Sequence, residues 1–180
     1  MIKPNKKNWP LGSDFVSALQ TPQAAFKDKQ LQKAEIKKSD MGLPLGASGN
    51  FAVVFQGFHA SRGKFAIRCF TKSVSERTER YQHISQHLEG ITGSNPLVDF
   101  EFRDKDDGIK VNGKKYPFIT MEWVEGETFD KWLERKSGEG DKNAIASMSD
   151  RWRDLVGQLR EDKISHGDLQ HGNVMVTPDE

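Results

Sequence analysis

Strand-patterned stretches follow one another between Ala34 and Thr71 with too few residues between them for a crossover. Ala34–Met41 reads as a first strand. Phe51–Gly57 is β-branched and aromatic, and Lys64–Phe70 repeats that pattern after the Ser61-Arg62-Gly63 turn. A parallel neighbour needs a connecting segment of about a dozen residues or more, so these strands must pair antiparallel. The first connection, Gly42–Asn50, is rich in glycine, which lets backbone turn tightly and approach a partner closely.

More sheet follows after one helix. Ser73 and Glu76 have capping-box spacing, and Tyr81, Ile84 and Leu88 recur on one helical face. Gly90–Pro96 breaks the chain, and Leu97–Phe102 reads as a half-buried strand. Ile109–Tyr116 reads as a hairpin about Asn112-Gly113, a pair suited to a type I′ turn, and Pro117–Val124 is an apolar strand. From Gly126 the pattern becomes helical. Thr128 is placed to cap Phe129–Lys136, with Phe129, Trp132 and Leu133 on one side. Ser137–Asn143 is a polar linker, and Ala144–Asp162 carries Trp152, Leu155, Val156 and Leu159 at burial spacing. Ahead of the sheet, Met1–Trp9 reads as a flexible lead. Ser13–Gln20 is a short helix with Ser13 as N-cap, and Ala24–Gln32 is a weaker helical stretch. Residues 1–33 are thus an extension packed beside the domain.

The chain has 180 residues, 27 basic and 26 acidic, for a net charge of +1, so no global field favours nucleic acid or an anionic membrane. Cys69 is the single cysteine, which excludes an internal disulfide and fits a reducing, cytoplasmic compartment. No apolar run approaches the ~18 residues of a membrane span, and Met1–Pro10 lacks the apolar region of a secretory leader.

The last amphipathic helix runs into a polar loop, His166-Gly167-Asp168-Leu169-Gln170-His171-Gly172-Asn173, with the spacing H-x-D-x-x-x-x-N, and Val174–Val176 leaves it. Together with the order of elements before it, this resembles the protein-kinase-like superfamily in its bacterial Ser/Thr form, from the N-terminal lobe through the catalytic loop. The His-Gly-Asp form also resembles the aminoglycoside and choline phosphotransferases. The resemblance implies an α+β fold: an antiparallel-sheet N-lobe with one main helix, then the first helices of a mostly helical C-lobe. Residues 34–125 would be the N-lobe with its hinge, and 126–180 a partial C-lobe.

The same resemblance assigns roles. Asp168 would accept the proton of an attacking hydroxyl, and Asn173 would hold Mg2+. Gly46 and Val53 match the phosphate-covering loop G-x-G-x-x-G-x-V, Ser48 and Phe51 replace its second and third glycines, and Gly49 would supply compensating flexibility. Phe65-Ala66-Ile67-Arg68 stands where the family has V-A-I-K, with Arg68 in place of the Lys. Met121, Glu122 and Val124 match the adenine-binding hinge, and Glu127 would approach the ribose. Ala66 and Val53 would cover the adenine together. The helix matching αC offers Arg80 or Tyr81 where the family has a Glu, with Glu79 a turn away. His166 would be structural.

The implied activity is transfer of the ATP γ-phosphate to a hydroxyl of a protein, with ATP and Mg2+ as cofactors. The alternatives are a small-molecule kinase and a catalytically impaired binding module. Thr177–Glu180 reads as the turn before the family's next metal ligand, so the sequence is expected to be a piece of a longer protein, inactive by itself.

Overall fold

The computed structural model describes residues 9–73, 77–89, 96–165 and 169–178. They fall into two compact units, one within Met1–Gly90 and Val98–Trp123, the other within Ile91–Leu97 and Val124–Glu180.

The first unit is built on a six-stranded antiparallel sheet. Its strands are β1 (Glu35–Ile36), β2 (Gly46–Ser48), β3 (Ala52–His59), β4 (Gly63–Phe70), β5 (Phe100–Arg103) and β8 (Phe118–Glu122), in the order β1-β3-β4-β8-β5 with β2 also on β3. β1 is much shorter than the Ala34–Met41 strand expected. The chain leaves the sheet after Lys37, whose N–H bonds to Gln56 O, makes a small excursion closed by a bridge from Lys38 to Pro44, and rejoins it as β2. Gly46–Ser48 is therefore strand, and the turn proper is the short Gly49–Phe51 segment.

Register divides the residues between two faces, because paired residues share a face and successive residues alternate. Val53 pairs with Cys69, and Phe55 with Ile67. Ile67 in turn pairs with Thr120, and Cys69 with Phe118. This first face carries the main core: Val53, Phe55, Phe65, Ile67, Cys69 and Phe118 are all buried. Burial in this apolar setting pushes the Cys69 thiol pKa up, so it stays protonated.

The expected side extension is the cover of that face. Its helices α1 (Gly12–Leu19), α2 (Pro22–Ala25) and α3 (Lys29–Gln32) contribute Phe15, Leu19, Ala25, Phe26 and Leu31, all buried. The Phe26 and Phe118 ring centroids are 5.3 Å apart. Each of the Phe and Leu side chains contributes about 1.5–3 kcal/mol of burial. The N-cap of α1 is Leu11 and not Ser13; its N–H donates to Asp14 Oδ2 at 2.8 Å. Asp28 caps α3, accepting from the N–H groups of Gln30 and Leu31 at 2.8 and 3.0 Å. Trp9, read above as part of a flexible lead, is anchored: its indole N–H donates to Phe70 O at 2.5 Å, and its ring meets Tyr116 edge-on.

A hairpin of β6 (Ile109–Val111) and β7 (Lys114–Tyr116) completes the cover with buried Ile109 and Val111. Its turn has Asn112 and Gly113 at φ 49° and 79°, the left-handed pair that the sequence called for.

The second face carries a smaller cluster: Ala52, Phe70 and Ile119, with Phe100, Phe102 and Met121. Helix α4 (Arg77–Glu89) lies on it through Tyr81, whose ring stacks on Phe102 at 5.3 Å and meets Phe70 and Phe100. The expected capping box of this helix and the break at Gly90–Pro96 lie largely outside the described residues.

The second unit contains β9 (Glu127–Thr128), α5 (Phe129–Glu139), α6 (Lys142–Glu161), a 3-10 turn (His171–Asn173) and β10 (Met175–Val176). α5 runs three residues past the expected Lys136, stops at Gly140 in the left-handed region (φ 71°), and hands over to Asp141, the N-cap of α6. Phe129 stacks on Trp132 and on Trp152, and Trp132, Leu159 and Val176 are buried. Leu133 is turned out, 38 % exposed, because Trp132 takes the inward position. Lys163, at φ 56°, and the Ile164 N–H to Leu159 O bond close the end of α6. Among the described residues no helix is long and apolar enough to cross a membrane.

These contacts set measurable expectations. Phe15→Ala should cost about 3–5 kcal/mol in urea unfolding, whereas a loss under about 1 kcal/mol would show that the N-terminal cover is dispensable. Asp28→Ala should cost about 1 kcal/mol at neutral pH. Burial alone would raise the Asp28 carboxyl, but the Leu31 and Gln30 N–H groups and Arg103 hold it below its ordinary value. The stabilisation is therefore present above the unfolded-state pKa and fades as pH falls through the folded one. The difference between wild type and variant should begin to narrow at about pH 4 and close as the pH falls further, when unfolding is followed across an acid series.

Candidate functional site

Val54 pairs with Arg68 and Gln56 with Ala66, and across the next ladder Ala66 pairs with Met121 and Arg68 with Ile119. Val54, Ala66, Arg68 and Met121 therefore share the second face, the one that α4 and its aromatic cluster occupy in part. Of the expected nucleotide residues, the structure brings together Ala66, Arg68 and Met121.

Gly46, Ser48 and Val53 are on the other face. Gly46 pairs with Phe55 and Ser48 with Val53, and Ser48 itself is exposed. A Cβ on Gly46 would stand 2.7 Å from the Phe55 ring and from Val53 Cγ2. Gly46 is thus a packing glycine that makes room for Phe55. Val53 is 2 % exposed in the main core, so the expectation that Val53 and Ala66 cover one ligand does not hold. Val54, which the sequence reading passed over, is the β3 residue on Ala66's face. The signal was present: the turn at Ala60–Arg62 pairs His59 with Gly63, and counting back from that pair sets Val54 opposite Arg68.

Gly49 closes the turn at the end of β2, donating its N–H to Ala52 O at 2.8 Å. Arg68 is exposed and has no ion-pair partner among the described residues. Glu79 and Arg80 are exposed as well, while Tyr81 faces the sheet where the family resemblance implied a carboxylate. Glu122 is exposed and donates its N–H to Asp99 O at 3.1 Å.

In the second unit, β9 and β10 pair so that Thr128 is opposite Met175 and Glu127 opposite Val176, and the Phe129 N–H donates to Val174 O at 2.9 Å. These bonds tie the start of α5 to the strand that follows Asn173. Asn173 lies in the exposed 3-10 turn, its N–H bonded to Gln170 O at 2.8 Å. Asp130, in the first turn of α5, is 3.9 Å from His171 Nδ1. The Thr128 hydroxyl, with the Lys131 and Asp130 N–H groups, holds the Asp130 carboxyl below its ordinary value. Glu127 is committed within this unit: its carboxylate accepts from Arg135 Nη2 at 2.5 Å and Nε at 3.2 Å. Arg135 also reaches Glu139 at 3.0 Å. A ribose contact by Glu127 would have to compete with this forked ion pair.

Asp168, with His166 and Gly167, lies outside the described residues. Among the described residues no group of three His, Cys, Asp or Glu side chains could hold a metal ion; Asn173, the residue expected to hold Mg2+, is a described one.

Gly126 makes the β9–β10 pairing possible. Its φ is 156°, and a Cβ there would stand 2.3 Å from Val176 O. Gly126→Ala should cost about 2 kcal/mol or more and speed hydrogen exchange at Glu127, Phe129 and Val176. Unchanged exchange at those amides would refute this role.

No family model matches the chain. A stretch of 115 residues, 62 % of this chain, is 27 % identical to the serine/threonine-protein kinase PknA of Corynebacterium glutamicum. The chain spans about a quarter of that protein, since the match covers 24 % of it. This is a partial similarity to a serine/threonine protein kinase, carried by a chain whose described part is a mixed α/β structure with an antiparallel sheet.

Proposed function

We propose that this chain is part of a kinase-like phosphotransferase that moves the γ-phosphate of ATP to a hydroxyl, most plausibly a Ser or Thr of a protein. The observation that carries the reading is the shared face of Val54, Ala66, Met121 and Arg68, because it combines an apolar surface with a cation. Val54, Ala66 and Met121 would lie against adenine. The backbone of Glu122 and Val124 would bond its edge, and Arg68 would neutralise phosphate in its fork geometry. The similarity to PknA supports the same reading.

Mg2+ would supply charge neutralisation at the phosphates, and Asn173 is the described residue to hold it, with Asp168 beside it in sequence order. Asp168 would orient the acceptor hydroxyl and take its proton as the oxygen attacks. In domain terms, residues 34–125 would be the nucleotide-holding lobe, with residues 9–33 as its structural cover, and 126–180 the beginning of the acceptor-side lobe.

A second reading is favoured by one specific observation: Tyr81, one of the two residues matched to the family's carboxylate, packs on the sheet, and Arg68 has no ion-pair partner on α4 among the described residues. On that reading the chain binds nucleotide without transferring phosphate. Phosphoryl transfer by the intact protein, with and without Asp168→Asn, separates the two. Transfer should fall by about 10²–10⁴-fold in the variant if Asp168 is the base. Equal rates would remove the catalytic assignment, and nucleotide binding without any transfer by wild type would favour the binding module.

A further inference from the structure

A second cation stands at the rim of the Gly-rich turn. Lys72 Nζ lies 4.4 Å from the centroid of the Phe51 ring, and Phe51 is the outermost residue of that turn, 48 % exposed. Both ends of the contact are fixed by backbone. The Gly49 N–H to Ala52 O bond closes the turn, and the Thr71 N–H donates to Phe51 O at 2.9 Å. Lys72 therefore follows directly on a residue bonded to the turn's tip, and its stem has only to fold over the ring.

The choice of partner is the informative point. Lys27, Arg103, Arg135, Lys136 and Arg153 all rest on carboxylates. Lys72 rests on a π face, as Arg62 does on the Phe65 ring at 4.9 Å, and has no carboxylate partner among the described residues. A ring face attracts the ammonium without neutralising it or using its N–H donors along an acceptor direction. Arg68, four residues earlier, is likewise exposed and without a carboxylate partner among the described residues. The ladder sets Arg68 opposite Val54 and Phe70 opposite Ala52, so both cations lie where the turn enters β3. Two cations at one turn, with no described anion between them, suit a polyanion longer than one phosphate.

We propose that Lys72, held in place by Phe51, is a phosphate-binding residue that takes the outer phosphates of a nucleoside triphosphate while Arg68 takes the inner ones. This rests on the nucleotide-binding reading above and goes beyond it by naming a second cation and the aromatic residue that positions it. Phe51 is a positioning residue: it touches the lysine and sets where its charge is spent.

Calorimetric titration of the 180-residue chain with ATP and with adenosine tests it, using wild type, Lys72→Met and Phe51→Leu. Lys72→Met should weaken ATP about tenfold and leave adenosine unchanged, since a hydrogen bond to a charged group is lost and the base contacts are not. Phe51→Leu should weaken ATP by about threefold, with the remaining ATP affinity more salt-sensitive because the lysine is no longer pre-positioned. Lys72 is exposed, and equal thermal midpoints for Lys72→Met and wild type confirm an intact fold. ATP affinity unchanged in Lys72→Met overturns this inference alone, as does an equal loss for adenosine. A wild-type chain that binds neither ligand overturns the nucleotide-binding reading and this inference with it.

Discussion

The register of β3 against β4 and of β4 against β8 is the constraint on which the first unit depends. It is fixed at one end by the three-residue turn at Ala60–Arg62 and along its length by burial, because sliding any of these strands by one residue would exchange its two faces. Phe55, Ile67 and Phe118 would then be driven out of the core, and Arg68 driven in. The cost of burying an unpaired guanidinium and exposing several large apolar side chains far exceeds any turn preference. Everything said of the site follows from that choice. It puts Ala66, Val54, Met121 and Arg68 together and withdraws Val53, Gly46 and Ser48 from the same surface.

A sheet with two apolar faces needs two covers, and the chain supplies them differently. The first face is sealed by residues from both ends of the unit's sequence: the short helices between Gly12 and Gln32, and the hairpin at Ile109–Tyr116. Lys27–Asp107 at 2.7 Å ties the helices to the loop that enters the hairpin, and the half-buried pair Asp28–Arg103 at 3.4 Å ties them to the end of β5. The exposed first pair contributes little, about 0–1 kcal/mol, and the aromatic and aliphatic contacts beneath decide the docking. The second face is covered only in part, by α4 through Tyr81. On the same face Ala66 is buried, while Val54 and Met121 are half-buried.

Much of this was legible in the sequence, and the failures have physical causes. The strands Phe51–Gly57 and Lys64–Phe70, the Asn112-Gly113 turn and the long helix before the terminal loop were readable because each has strong local chemistry: β-branched runs, a residue pair suited to positive φ, a sustained apolar period. Helix α1 was readable as Ser13–Gln20, but the division of Ala24–Gln32 into α2 and α3 was not, since each is four residues long and its stability comes from Phe26 and Leu31 in the core rather than from local propensity. Gly46 was misread because a glycine needed for the approach of a ring and a glycine needed at a phosphate look alike in a sequence. Val53 was chosen over Val54 because a motif counts residues, while a sheet counts from its turn; the two differ here by one, and one residue changes the face.

Tyr81 raises the last electrostatic point. In a site that relies on a helix carboxylate, the strand cation is held by that carboxylate and its charge is partly neutralised before any ligand arrives. Here the helix is held by ring contacts with Phe70, Phe100 and Phe102, which are indifferent to charge. Docking of α4 thereby rests on ring packing and draws on no ion pair with Arg68 among the described residues. A planar, permanently charged fork suits that arrangement better than an ammonium would, because it needs no neighbouring carboxylate to fix its direction and loses less freedom for each hydrogen bond it makes. Packing of Tyr81 thus anchors the helix, and Arg68 on β4 stays exposed with no ion-pair partner among the described residues.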